Sequence, residues 1–188
     1  MSGAGRKPWP GWPPRLSDGL QQQALAEALA AARAIGDEWR RAEALTGLAP
    51  RLPADLQQQA LVEALAAARS IGEEGSRAEA LVGLAPHLPA DLLAEALAAA
   101  QELPEQEPFG IGNPRARALA RLAPRLAALG RPTLYPLWAD TLPILAGRTR
   151  KDLLLDLRAL EPVIAALGGA EAVAETFRAI QDVGRWWP

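Results

Sequence analysis

The 188-residue sequence predicts an all-α fold, an α-solenoid of stacked helical hairpins, on three observations. The first is an internal duplication. LQQQALAEALAAARAIGDEWRRAEALTGLAPRLPAD, residues 20–55, runs without a gap into LQQQALVEALAAARSIGEEGSRAEALVGLAPHLPAD, residues 56–91, and only seven of the 36 aligned positions differ. A fixed period of this size marks a stack of supersecondary units. The second is that each unit carries two helical periodicities, a long one closing at Ile35 or Ile71 and a shorter one closing at Ala49-Pro50 or Ala85-Pro86. The third is that a two-helix unit of this size cannot bury its apolar stripe alone, so neighbouring units must share a core.

Composition narrows the function classes. Apolar residues make up 49% of the chain and charged residues 22%, a balance that excludes wholesale disorder. The formal net charge of -2 removes the case for a generally basic nucleic-acid surface, so no nucleic acid is expected as partner. There is no cysteine, which excludes disulfides, thiolate metal sites and cysteine nucleophiles. Gln, Glu and Arg interrupt every Ala/Leu segment before it reaches the roughly 18 residues of a membrane span. The first residues lack the apolar stretch of a signal peptide, so a cytoplasmic protein without membrane contact is expected.

Residues 1–17 read as a flexible Pro/Trp-rich leader, the remnant of an earlier repeat. Gly11-Trp12-Pro13-Pro14-Arg15-Leu16 aligns with Gly47-Leu48-Ala49-Pro50-Arg51-Leu52, with prolines where they stop a helix. The chain is therefore expected to begin inside a longer array, with Trp9 and Trp12 in the places of Leu45 and Leu48 and covering the first hairpin. Helical repeats fill residues 18–129 as units 18–55, 56–91 and 92–129. Asp18 with Gln21, and Asp55 with Gln58, have the spacing of a helix-capping box. Ala24, Leu25, Ala28, Leu29, Ala32 and Ile35 follow the spacing of a buried face. Gly36 and Gly72 are expected to end the long helices in the left-handed conformation. The short helix then opens with Asp37 or Glu73, four residues before Arg41 or Arg77, the favourable order for an ion pair. Ala42, Leu45 and Leu48 form its buried stripe, and Pro50 disfavours helix at Ala49.

The third unit lacks the Gln-Gln-Gln-Ala of the long helix, about one turn. Its connection, residues 104–114, is longer and reads as a loop. Residues 115–126 resume the short-helix phrase. Residues 130–188 read as a C-terminal helical capping module. Its first helix covers about 134–146, with Leu137, Trp138, Leu142 and Leu145 inward and Pro143 bending it. Thr149 and Asp152 cap the next helix, whose stripe is Leu153, Leu154, Leu157, Leu160, Val163, Ile164 and Leu167, with Pro162 breaking it and Gly168-Gly169 ending it. The last helix, about 170–183, presents Val173, Phe177, Ile180 and Val183 on one side, and Trp186 and Trp187 are expected to fold back as a cap.

Nothing in the sequence assembles into catalysis, so no enzyme, cofactor or metal is expected. His87 is the single histidine and occupies the repeat position of Arg51 and Arg125, a solvated one. Gly110-Ile111-Gly112 lacks the strand and remaining glycine of a dinucleotide fingerprint. Glu27, Glu63 and Glu95 share one repeat position and form a spaced, solvated row, and Arg148, Arg150 and Lys151 read as a solvated loop. The change that suits recognition is Trp39-Arg40, which becomes Gly75-Ser76 in the second unit; Trp and Arg are enriched at interface hot spots. The candidate partner site is accordingly Trp39 and Arg40, with Gln22, Gln23 and Glu27 from the polar face of the long helix.

The phrases RAEALTGLAP, RAEALVGLAPHLPADLLAEALAAA and LRALEPVIAALGGAEAVAETFRAIQDVGRWWP resemble the C-terminal repeat arrays of bacterial signal-transduction ATPases with numerous domains (STAND), the NACHT-type proteins of bacterial immunity and regulated cell death. The resemblance covers residues 15–188. It implies TPR-like or HEAT-like repeats forming the ligand-sensing array, with a protein or peptide ligand and the ATPase domain of a parent chain as partners. The chain has no GxxxxGK[ST] loop of its own and lacks the usual TPR signature, although the 36-residue period lies near that of TPR units. The alternative is a structural, autoinhibitory or oligomerising helical scaffold with no free ligand.

Overall fold

The computed structural model describes residues 18–104 and 113–186, and of these the side chains of Asp18 and Trp186 are left aside. The leader with Trp9 and Trp12, most of the 104–114 connection and Trp187 lie outside the described residues. Among the described residues there are nine α-helices and no strand: α1 (Asp18–Arg33), α2 (Glu38–Leu48), α3 (Ala54–Ser70), α4 (Glu74–Leu84), α5 (Leu93–Gln101), α6 (Pro114–Ala127), α7 (Arg131–Ala146), α8 (Arg150–Ala159) and α9 (Glu161–Trp186). Two short 3-10 turns, Ala49–Arg51 and Ala90–Leu92, complete the list. Each helix packs on its neighbour in sequence from α1 to α6, and α2, α4 and α6 also contact one another in that order. Helix α6 in turn receives α8 and α9.

Repeat-equivalent leucines fill the core of the short helices: Leu45, Leu81 and Leu119 are each 1% exposed. Burying a leucine contributes roughly 1.5–3 kcal/mol, so these positions carry much of the packing energy. The expected face of the long helix is buried throughout on α3, at Ala60, Leu61, Ala64, Leu65, Ala68 and Ile71, whereas on α1 Leu29 and Ala32 are buried and Ala24 is exposed.

Three local expectations are corrected. Asp55 does not cap α3, since the cap position is Pro53 in an extended conformation and Asp55 lies in the first turn. Gln58 instead reaches Asp91 in the next unit at 2.6 Å. Gly36 and Gly72 are not left-handed stops, because Gly169 is the one positive-φ residue among those described. The chain leaves α3 at Ile71, which is extended (φ -62°, ψ 119°) and anchored in the core. Asp37 and Glu73 do not pair with Arg41 and Arg77. They cap their helices, the Asp37 carboxylate accepting from the Arg40 N–H at 2.8 Å and that of Glu73 from the N–H groups of Gly75 and Ser76.

The arginines do something else. Arg41 Nη1 donates to the Ile35 carbonyl at 2.9 Å, Arg77 Nη1 to that of Ile71 at 3.2 Å, and Arg115 Nη1 to that of Leu103 at 3.4 Å. These carbonyls lie just past a helix end, where intrahelical partners run out. A guanidinium on the following helix satisfies them and fixes the turn.

In the C-terminal half the Thr149 cap forms, its hydroxyl accepting from the Asp152 N–H at 3.3 Å. The break at Pro162 also forms, with α8 ending at Ala159 and Pro162 in the first turn of α9. Gly169 (φ 70°, ψ -169°) interrupts α9 where the glycine pair is expected to end a helix. The apolar stripes fall as expected only in part: Leu145, Leu160, Val163 and Ile164 are buried. On α7, Thr141 is buried and Leu142 is 46% exposed. On α8 the buried residues are Asp152 and Asp156, while Leu154 is 36% exposed. The reason is Arg115, whose side chain is wholly buried. Its Nε donates to Asp156 Oδ2 at 2.8 Å and Oδ1 at 3.1 Å, and its Nη2 lies 3.9 Å from Asp152. Asn113 donates to Asp152 at 3.3 Å. Arg148, read from sequence as solvated, turns inward and donates to the Gln101 carbonyl at 2.7 Å, with Nε 3.9 Å from Asp156. Burial pushes the Asp156 carboxyl above its ordinary range, opposed by the guanidinium groups of Arg115 and Arg148.

Removing one partner of a buried ion pair strands the other charge. Arg115→Ala or Asp156→Ala is expected to cost about 3–5 kcal/mol in urea unfolding, whereas the double change Arg115→Met with Asp156→Leu is expected to recover most of that loss. Gly72→Ala is expected to leave the melting temperature unchanged or slightly raised, because a Cβ there meets nothing within 4 Å and the residue is not left-handed.

Candidate functional site

The Asp37 cap starts α2 so that Trp39 falls in its first turn. Residues three, four, seven and eight positions further on, Ala42, Glu43, Thr46 and Gly47, then follow along the same side of the helix. The facing residues of α4 are Glu79, Ala80 and Gly83, and together these eight line a groove of about 300 Å³. Trp39 is 36% exposed, so its ring walls the groove and keeps a free edge. The floor is open at the glycines: a Cβ added at Gly47 or Gly83 meets no atom within 4 Å. Glycine inside a helix costs roughly 0.5–1 kcal/mol relative to alanine, and the packing of this chain does not require it at either position.

Glu43 and Glu79, themselves repeat-equivalent, are both exposed, and no hydrogen bond or ion pair engages either among the described residues. The groove is therefore apolar along its floor, aromatic at one end and negative at its rim. The equivalent position on α6 is Arg117, so the negative rim stops at α4.

The structure divides the residues singled out from sequence. Trp39 lines the groove, and Arg40 is exposed in the same first turn without lining it. Gln22, Gln23 and Glu27 are exposed on α1, and none of them lines the groove. Gln23 donates to Glu27 at 2.9 Å. The glutamate row is only partly solvated: Arg33 pairs with Glu63 at 2.7 Å and Arg69 with Glu95 at 2.5 Å, each bond running from one unit to the next. The 36-residue repetition of Arg33 at Arg69 was the signal for this pairing. The glycine floor was equally visible as the repetition of Gly47 at Gly83, but its openness depends on how α2 meets α4.

A second groove, of about 420 Å³, lies between α8 and the far half of α9, with Leu154, Leu157, Val173, Phe177 and Ile180 among its lining. Phe177 is 60% exposed and Val183 62%, so part of the stripe expected to face inward lies in water. Among the described residues no group of three or more His, Asp or Glu side chains is placed to hold a metal ion, and no helix is long and apolar enough to cross a membrane.

No family model matches the sequence, and no curated protein or solved structure matches it either.

The cap of α4 titrates. The Ser76 hydroxyl, the N–H groups of Ser76 and Gly75 and the nearby Arg77 hold the Glu73 carboxyl below its ordinary range. A lowered folded-state pKa contributes stability above the unfolded value, about 4.3, and loses it as pH falls through the folded one. Glu73→Gln is therefore expected to lower the melting temperature at pH 7, and the gap to the parent chain is expected to narrow as pH falls below the ordinary carboxylate range.

Proposed function

We propose that this chain is a non-catalytic recognition module, an α-solenoid that holds a segment of a protein or peptide in the groove beside Trp39. The observation that carries the reading is the open glycine floor of that groove, walled by an aromatic ring. The side-by-side contacts of α2, α4 and α6, and the Arg33–Glu63 and Arg69–Glu95 bonds between successive units, support the solenoid geometry. The sequence resemblance supplies the setting: the sensing array of a bacterial STAND-type ATPase in immunity or regulated cell death, with that ATPase domain as the second partner. In such a role the ligand's contacts do the work, and neither a cofactor nor a reacting group is called for.

A second reading, an oligomerising scaffold without a free ligand, draws on the exposed Phe177 and Val183 of α9. Sedimentation equilibrium separates the two, since a scaffold of this kind self-associates in the micromolar range and a monomer does not.

The test of the groove is the exchange Trp39→Gly with Arg40→Ser, the pair the second unit already carries at Gly75 and Ser76. The double variant is expected to fold with nearly the parent melting temperature. Peptides selected from a display library on the parent chain are expected to bind it about thirtyfold more weakly, the loss of about 2 kcal/mol typical of a hot-spot tryptophan. Undiminished binding removes the site from this groove.

A further inference from the structure

A different surface, the outer face of α1, repeats one that the molecule covers elsewhere. Helices α1 and α3 are nearly the same sequence, yet their equivalent residues differ in burial. Ala60, Leu61, Ala64 and Ala67 of α3 are 0%, 2%, 0% and 4% exposed. Their counterparts Ala24 and Ala31 on α1 are exposed, and Leu25 and Ala28 are only half-buried. Leu20, at the foot of the same face, is 56% exposed. What closes the face on α3 is the preceding hairpin. Helix α2 packs against it, with Arg41 and Leu45 beside Ala66, Ala67 and Ser70, and Arg33 of α1 clamps Glu63 through two hydrogen bonds of 2.7 and 2.8 Å.

The same clamp recurs one unit on, where Arg69 holds Glu95. Glu27 is the remaining member of the glutamate row, and its partner among the described residues is Gln23 of its own helix. The apolar face and the glutamate are therefore both present on α1, in the register that α3 uses to receive a hairpin.

We propose that the outer face of α1 is a docking surface for a helical hairpin of the α1–α2 kind, presented by a partner polypeptide. The partner carries a Leu/Ala stripe that seats on Ala24, Ala28 and Ala31 and an arginine that clamps Glu27. Shape and charge both follow from the way α1 and α2 cover α3. A helix without the arginine would bury the alanines but leave Glu27 unmatched, and an acidic one is repelled. This surface is independent of the Trp39 groove, and loss of either leaves the other intact.

The probe is a synthetic peptide with the sequence of residues 20–52, titrated into the isotope-labelled full chain and read by amide chemical shifts. Saturable shifts are expected along α1, centred on Ala24, Glu27 and Ala31. Glu27→Arg in the full chain is expected to weaken binding roughly fivefold or more, and Arg→Glu at the peptide position corresponding to Arg33 is expected to restore it. Ala31→Arg, also at an exposed position, is expected to block binding while leaving the melting temperature in place. The proposal is overturned if α1 shows no saturable shifts, if the shifts fall around Trp39 instead, or if Glu27→Arg binds as well as the parent chain.

Discussion

Three arginines, Arg41, Arg77 and Arg115, each hold a short helix to the carbonyl that ends the long helix before it, and the rest of the packing depends on that contact. A helix end leaves carbonyl groups without partners, and one sunk between two helices would be costly unless a donor reached it. The guanidinium supplies that donor from the next element. It sets the angle at which the hairpin closes and so carries Leu45, Leu81 and Leu119 into the core. The three carbonyl residues share a second detail: the N–H of Ile35, Ile71 and Leu103 each bonds back three residues at 3.3 Å. The turn is thus built the same way after each long helix, although the third connection is longer.

The third arginine carries a further consequence. Arg115 is buried where Arg41 is only partly covered, and a buried cation needs a counter-charge with good geometry. Asp156 and Asp152 provide it from α8, which must turn its carboxylates inward to do so. With that face committed, Leu153, Leu154 and Leu157 are left half-buried or exposed. The last helix, beyond Gly169, covers them only in part, which leaves an apolar groove between α8 and α9. One buried charge therefore accounts for the orientation of α8 and for the open apolar surface behind it.

The two surfaces proposed for recognition arise from the repetition in different ways. The groove beside Trp39 exists because one unit carries Trp39 where the next carries Gly75, while both retain a helical glycine, Gly47 and Gly83, at the floor. The face of α1 exists because the repetition is nearly perfect, so that residues made to be covered on α3 are displayed on α1. A groove lined by glycine and glutamate favours a partner that approaches closely and brings positive charge. A Leu/Ala face with a single glutamate favours another helix of the same composition.

What the sequence determined by itself is everything that depends on neighbours along the chain. The duplication placed α1 to α4, Pro162 broke α8 from α9, Thr149 capped α8, and Gly169 turned the chain, because each acts through the backbone within one helical turn. Local reading failed where two local devices competed. Pro53 displaced Asp55 from the cap, and Ile71 took over the stop assigned to Gly72, since an anchored isoleucine ends the helix without a left-handed residue. The candidate site was legible in part: Trp39 stood out by type, but its separation from Gln22, Gln23 and Glu27 did not. Periodicity gave the buried faces of α2 and α3, but only the tertiary structure decided which face of α8 is buried. Periodicity marks an apolar stripe on α8 but carries no record of Arg115, 41 residues from Asp156 in sequence, whose buried charge outweighed the leucines.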